Sequence, residues 1–401
     1  MLPINHDPVE VKPPDAEIRL LTLNCWGIPY ISKNRLERMD AIALKIIEQS
    51  YDVVCLQEIW SRSDYERIMT KTKEKLPYSH YFYSGIHGSG ICIFSKYLIK
   101  DVMFHQWSLN GYVHKIHHGD WFGGKGIALC KLDVKNINVN VYVAHLHAEY
   151  SETMDEYKSH RVLQAFDTAQ FIRLTMDSAD VALLGGDLNT EPSGLEYCLI
   201  CGLTGLVDSC NEHDLGTSET PKNTYTCKKA LKKCPKGKRI DHILYKGSKN
   251  YKVIVSDYNH PFPHKVPGKT FSYSDHDAVM VHLNVIKGSE DSLEEVDMRE
   301  SLQKAIAIGQ DALTLGKKQR LGYAVIVGTV LIPLLWSITD DTLLSDLNIN
   351  IAFNLFRCFM VILLFYAVFM ITMWYNLEKN ALKAGISAME IILYNLNRKF
   401  A

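Results

Sequence analysis

The chain has almost no net charge: 44 Lys and Arg stand against 45 Asp and Glu among 401 residues, a formal −1 at pH 7. That balance excludes the global basic attraction on which non-specific nucleic-acid binding depends. No Asn-x-Ser/Thr acceptor occurs, and the opening MLPINHDPVE has no basic stretch followed by an apolar one. The ten cysteines are scattered, several of them in apolar strand-like runs (Cys55, Cys92, Cys130), without the spacing of a zinc site. A reduced, cytosol-facing main domain is therefore expected. No internal repeat is apparent, which excludes a solenoid or propeller.

What is present is organised around Val181 to Pro192, VALLGGDLNTEP. Four apolar residues run into Gly185-Gly186 and deliver Asp187 and Asn189 at the end of a buried strand, where a carboxylate and an amide suit a phosphate and its metal. Taken alone, Asp-x-Asn after two glycines is also a common turn. Other strand-like runs are Ile18 to Asn24, Asp52 to Gln57, Ser89 to Ser95, Lys125 to Leu132, Ile137 to Leu146, Ile240 to Tyr245 and Ala278 to Val285. Helices are expected from Asn34, with Glu37 completing a capping pair and Leu36, Met39, Ala43, Ile46 and Ile47 on one face, and over about Asp64 to Leu76 and Glu152 to Thr175. With 47% hydrophobic residues a large core is available, so the expectation is an α/β fold, two packed mixed β-sheets with helices outside, over residues 18–286 after an exposed lead-in, 1–17.

After Val285 the composition changes. Residues 287–320 read as a surface helix or linker. Two charge-poor apolar runs follow, Leu321 to Ile338 and Ile351 to Tyr375, edged by Tyr323, Trp336, Trp374 and Tyr375. Each is about 18 residues or longer, enough to cross a hydrocarbon core of about 30 Å. Lys317, Lys318, Arg320, Lys379 and Lys383 flank the pair, whereas the intervening 339–350 holds three Asp and no Lys or Arg. The positive-inside rule then puts both ends in the cytosol and the short loop across the bilayer, with Arg357 snorkelling to the far interface. Residues 376–401 are amphipathic (Leu382, Ile386, Met389, Leu393) and are expected to lie on the cytosolic surface.

The strand ends present a set of polar residues: Asn24, Glu58, His145 with His147, Asp187 with Asn189, Asp241, and Asp275-His276. Each has a bland alternative. Glu58 can cap a segment, His145 can be a satisfied core histidine and Asp241 can pair with Arg239. Jointly they fit phosphodiester cleavage by water. Mg²⁺ is commonly held by one or two carboxylates plus water and phosphate, so Glu58 helped by Asn24 supplies enough protein coordination. A histidine beside a carboxylate has the pKa and tautomer for a general base, which points to His276. Asp187 and Asn189 would position water and phosphate, and His145 would stabilise charge on the phosphoryl group or leaving oxygen. Lys125, in GGKG, is a candidate phosphate contact or a solvated turn. Cys198 and Cys201 read as thiols rather than a metal pair, and the basic run from Lys228 to Arg239 as a solvated loop able to meet anionic headgroups.

The ordered segments LNCWGIPYISK, LQEIW, SGICIFSK, LNGY, HHGDWFGGKG, HLHAEY, GGDLN, RIDHILY and SDHDAV resemble those of the neutral sphingomyelinases, in particular the shorter class with two C-terminal membrane spans. The resemblance implies a deoxyribonuclease-like four-layer sandwich. It also implies Mg²⁺-dependent hydrolysis of sphingomyelin to ceramide and phosphocholine, with Mn²⁺ as a possible substitute metal. By position, Glu58 resembles the family's metal ligand, Asn24 its helper, Asn189 a substrate-positioning residue and His276 the proton acceptor. The expected partners are a membrane sphingolipid and the bilayer of the endoplasmic reticulum or plasma membrane, with no nucleic acid. Rival readings are a lysophospholipase C, a ceramide phosphoethanolamine hydrolase, a nuclease of the same fold, and a catalytically inert membrane-anchored binding module.

Overall fold

The computed structural model describes residues 13–151, 153–210, 216–288, 296–339 and 347–399. The lead-in up to residue 12 and most of the expected loop between the apolar runs lie outside them. Among the described residues twelve strands form in chain order: β1 (Ala16–Asn24), β2 (Val53–Gln57), β3 (Tyr78–Tyr81), β4 (Cys92–Ser95), β5 (Ile99–Gln106) and β6 (Gly126–Val134). They continue with β7 (Ile137–His145), β8 (Val181–Asp187), β9 (Val207–Asp208), β10 (Asp241–Gly247), β11 (Tyr251–Asn259) and β12 (Val279–Lys287). The helices are α1 (Arg35–Gln49), α2 (Arg62–Thr72), α3 (Lys158–Thr175), α4 (Leu195–Thr204), α5 (Lys228–Lys233), α6 (Arg299–Thr339), α7 (Leu347–Phe369) and α8 (Tyr375–Lys399).

Two six-stranded mixed sheets result, in the orders β11-β12-β1-β2-β4-β3 and β5-β6-β7-β8-β10-β9. Between them lies a core of Ile18, Leu20, Val53, Cys55, Val141, Val143, Leu183, Ile243 and Val281. The outer face of the first sheet buries Leu21, Leu23, Val54 and Leu56 with Met39, Ile42 and Ala43 of α1. The outer face of the second buries Tyr142, Ala182 and Leu184 with Ala165, Ile172 and Ile200. Four layers follow, and the central strands must be apolar on both sides, which is why β2 and β8 are buried at every position.

Some local expectations need correction. Leu36 is exposed, and Arg38 takes a buried place on α1. Asn34 precedes α1 in a left-handed conformation without capping it by its side chain. Its Oδ1 accepts from Tyr225 at 3.4 Å and Glu37 pairs with Lys269 at 2.5 Å, so both halves of the expected capping pair are engaged elsewhere. The basic run is not all loop, since Lys228–Lys233 is helical.

The chain divides into two compact units, Met1–Tyr157 with Gln164–Asp297, and Lys158–Leu163 with Met298–Ala401. In the second, the expected linker is not separate from the first apolar run, because α6 is continuous from Arg299 through Pro333 to Thr339. Leu382, Ile386 and Met389 of α8 are buried, and a side chain at Gly309 of α6 would meet Ile386 at 2.8 Å, so these helices pack closely. A π-turn, Met370–Trp374, joins α7 to α8. The Arg357 guanidinium donates to the backbone carbonyl and, at 3.2 Å, the hydroxyl of Ser337. Two helical stretches, Arg299–Ser337 and Ile351–Lys399, are long and apolar enough to cross a membrane by length and composition.

Candidate active site

Strand register assembles half of the site. β7 runs parallel to β8 with His145 opposite Asp187, and β10 runs antiparallel to β8 with Asp241 opposite the same Asp187. Residues paired in register point to the same face, so one imidazole and two carboxylates stand side by side. Gly186 permits this close pairing: a Cβ there would lie 2.0 Å from the Ala144 carbonyl oxygen. The other sheet contributes Asn24, paired with Gln57 across β1 and β2, and then Glu58. Glu58 adopts a left-handed φ of 56°, and Gly27 approaches it so closely that a Cβ would sit 2.4 Å from its carbonyl oxygen. The glycine of NCWGIPY therefore fixes the turn that aims the Glu58 carboxylate.

Asn24 joins the halves. Its Nδ2 donates to Glu58 Oε1 and to Asp187 Oδ2, both at 3.0 Å. His276 bonds Asp241 Oδ2 through Nδ1 at 2.8 Å, and its Nε2 lies 4.0 Å from Asp187 Oδ2. His145 Nε2 stands 3.6 Å from Asp187 Oδ2, 3.9 Å from Glu58 Oε1 and 3.5 Å from Lys125 Nζ. Glu58 and His276 thus share one site. Asp275 is on the same loop, its Oδ1 accepting from Ser274 at 3.2 Å. Asn189 is adjacent, with its N–H on Asp187 Oδ1 and its Nδ2 on the Leu146 carbonyl. Arg239 pairs with Asp208 at 2.7 Å, leaving Asp241 to His276.

The electrostatics follow from crowding carboxylates in a buried place. Burial first, and Asp275 second, raise the pKa of Glu58. Burial and then Asp241 raise Asp187 to about 7, and burial raises Asp275. Burial alone would lower His276, but Asp241, then Asp187 and Asp275, hold it well above the usual imidazole value. His145 goes the other way: burial, Lys125 and His276 keep it neutral. Glu58 Oε2 and Asp241 Oδ1 are buried oxygens without a hydrogen-bond partner among the described residues. An excess of buried carboxylate with orphaned oxygens is a donor set for a hard divalent cation. Asp187, Asp241 and His276 also bring ligand atoms within 4.8 Å of one another.

Asp120, Thr217 and Arg38 carry parts of the site that the sequence did not mark, Asp120 through the candidate phosphate contact Lys125. Lys125 is no solvated turn; it is buried and paired with Asp120 Oδ1 at 3.0 Å. Burial would raise Asp120, but Lys125 and His147 bring it down to about 2. The five-residue spacing in GDWFGGKG was the available signal. Thr217 Oγ1 accepts the backbone N–H of Asp241 at 3.1 Å, steadying that strand end. Arg38 donates to the carbonyls of Cys25 (2.7 Å), Trp26 (2.6 Å), Lys33 (2.9 Å) and Tyr273 (3.1 Å), tying the loop after Asn24 to the loop before Asp275.

A two-sheet sandwich with acidic, amide and imidazole groups gathered at strand ends defines the class, and the chain belongs to the endonuclease/exonuclease/phosphatase family, whose model matches residues 21–276. Within it the chain falls among the neutral sphingomyelinases. It is 36% identical over 436 residues to a candidate neutral sphingomyelinase of Drosophila melanogaster, covering 95% of this chain and 98% of that one. It is 42% identical over 274 residues to sphingomyelin phosphodiesterase 2 of Homo sapiens, covering 67% of this chain and 64% of that one. In fold it resembles sphingomyelinase C of Streptomyces griseocarneus, with a TM-score of 0.52 at 19% identity over 67% of this chain and 99% of that one.

Proposed function

We propose that this chain is a membrane-anchored phospholipase C that hydrolyses sphingomyelin to ceramide and phosphocholine with the help of Mg²⁺, Mn²⁺ serving as a substitute. The observation that carries it is the Asn24 amide spanning Glu58 and Asp187, with the His276–Asp241 pair against the same Asp187. Glu58, with Asn24 beside it, would hold the metal. When bound, the cation supplies charge neutralisation on the phosphoryl oxygens.

The remaining steps belong to side chains. His276 Nε2, the nitrogen not bonded to Asp241, takes a proton from the attacking water. Asp241 fixes its tautomer and stabilises the imidazolium. Because His276 is held high by its carboxylate neighbours, a cation held at Glu58 would offset part of that negative charge and bring His276 toward the range a base needs. Asp187 and Asn189 orient water and phosphate. Neutral His145 and the Lys125 ammonium wall the phosphoryl group. The bond from phosphorus to the ceramide oxygen breaks as the water oxygen attaches, and the ceramide oxygen takes a proton from solvent, balanced by the one His276 then gives back to solvent.

The proposed arrangement in the membrane has the catalytic domain, 18–286, and the tail, 376–401, in the cytosol, at the endoplasmic reticulum or plasma membrane. Residues 287–320 lead to spans at 321–338 and 351–375, with 339–350 on the far side. The support is the cationic flanks Lys317, Lys318, Arg320, Lys379 and Lys383. A tether beside a bilayer-bound substrate raises its effective concentration. The test is Mg²⁺-dependent cleavage of sphingomyelin in detergent micelles beside an abasic DNA duplex. Release of phosphocholine alone supports the proposal, and cleavage of the duplex alone overturns it.

A further inference from the structure

Three segments that the chemistry above leaves largely unused, LNGY, HHGDWF and HLHAEY, fold onto one another. The His118 ring stacks on Tyr150 at 4.1 Å, and His147 stacks on Tyr157 at 3.8 Å. The Tyr112 and Tyr157 centroids lie 5.1 Å apart. Beside them is a cavity of about 260 Å³ lined by Lys115, His118, Tyr150, Met154, Glu156 and Tyr157. One of its walls belongs to the catalytic cluster's own network, because Tyr150 Oη donates to Asp120 Oδ2 at 2.5 Å and Asp120 Oδ1 holds Lys125 at 3.0 Å.

The cavity already accommodates a cation of the protein's own. Lys115 Nζ lies 5.8 Å from the Tyr157 centroid and 5.9 Å from that of Tyr112, within reach of both ring faces, and pairs with Glu156. We infer that this cavity receives the quaternary ammonium of a choline headgroup, with Lys115 as a displaceable stand-in. The inference rests on the proposed phospholipase reading for the phosphate and adds recognition of what the phosphate carries.

Chemistry and size both favour that ligand. A trimethylammonium group has no N–H to donate, so ring faces, the negative charge of a carboxylate and the soft thioether of Met154 suit it better than neutral hydrogen-bond acceptors do. A cavity of about 150 Å³ admits benzene, so one of this volume admits a trimethylammonium group. In phosphocholine the nitrogen is joined to the ester oxygen by two carbons, a reach of about 5 Å from phosphorus at ordinary bond lengths. The chain of contacts from Tyr150 through Asp120 to Lys125 is what links the cavity to the lysine beside the phosphate site. Lys115, on a flexible stem, can swing out as the headgroup enters.

The test uses the full chain in detergent micelles and two readouts. Saturation-transfer NMR follows tetramethylammonium binding, and steady-state kinetics compare sphingomyelin with ceramide phosphoethanolamine. Lys115→Met removes the competing cation and should tighten tetramethylammonium and lower KM for sphingomyelin. Tyr157→Leu should weaken the probe and raise KM for sphingomyelin about tenfold, the size of one good cation–π contact, with a smaller change for the ethanolamine substrate. No saturable tetramethylammonium binding, or variants that shift both substrates equally, would overturn the cavity assignment while leaving sphingomyelin hydrolysis standing. Saturable probe binding without cleavage of either lipid would keep the cavity and sink the phospholipase reading. Should Tyr157→Leu fail to fold, Lys115→Met at the cavity rim decides alone.

Discussion

Asp187 and Asp241 are register partners on antiparallel β8 and β10, two buried carboxylates side by side with the His276 ring against both. Burial and then Asp241 raise Asp187 to about 7 from 3.8. A raised folded-state pKa contributes stability below the unfolded value and loses it as pH rises through the folded one; the raised His276 has the same sign. A divalent cation relieves the charged state selectively. Mg²⁺ should therefore raise the melting temperature more at about pH 8 than at about pH 5.5, measured against EDTA. Equal rises at both would count against a carboxylate-held metal.

Replacing Asp241 separates positioning from titration. Asp241→Asn should lower kcat by about a hundredfold or more, because the base loses its orienting partner. Asp241 is also what chiefly raises His276, so its loss lowers the His276 pKa. The acid limb of the pH–rate profile should then move to lower pH. A profile that falls in amplitude without moving would remove Asp241 from the proton-transfer pair.

Asn24→Ala deletes the amide between Glu58 and Asp187 while leaving both carboxylates. The half-saturating Mg²⁺ concentration should rise about tenfold or more, as when a group orienting a metal ligand is removed. Metal titration of activity checks this, and an unchanged midpoint would make the Asn24 bridge structural only.

Arg38→Leu tests whether the loops carrying Asn24 and Asp275 depend on one buried guanidinium. Its loss leaves four carbonyls short of a donor, at about 1–3 kcal/mol for each that water does not reach. Denaturant unfolding should show a loss of at least about 2 kcal/mol, and activity should fall even where the variant is folded. A loss below about 0.5 kcal/mol would show that the loops hold themselves.

The parts of the fold legible in the sequence were those buried on both faces. β1, β2, β7 and β8 are apolar runs that end in or lead into polar residues, β10 opens on Asp241 and β12 follows Asp275-His276, and these six stretches converge. The four strands that escaped notice, β3, β5, β9 and β11, are all sheet edges. Half-exposed edges carry mixed sequences such as IKDVMFHQ, without the pattern of a core strand. The site was legible where a residue lies in or next to a core strand, at either end of it, and illegible where it lies farther along a loop. Asp120 lies in a 3₁₀ turn and meets Lys125 only because the chain folds back. Arg38 is a charged residue on an amphipathic helix, and its sequence neighbours do not mark it as buried. Its burial depends on carbonyls from sequence as distant as Tyr273.

The most direct test of the central claim is hydrolysis of sphingomyelin in ¹⁸O-labelled water with wild-type protein, Glu58→Gln and His276→Ala, with and without Mg²⁺. Attack of water on phosphorus places the label in phosphocholine and none in ceramide, with turnover lost in either variant or with EDTA. Label in the ceramide hydroxyl, or undiminished turnover by His276→Ala, would contradict a metal-assisted phosphodiesterase built on these strand ends.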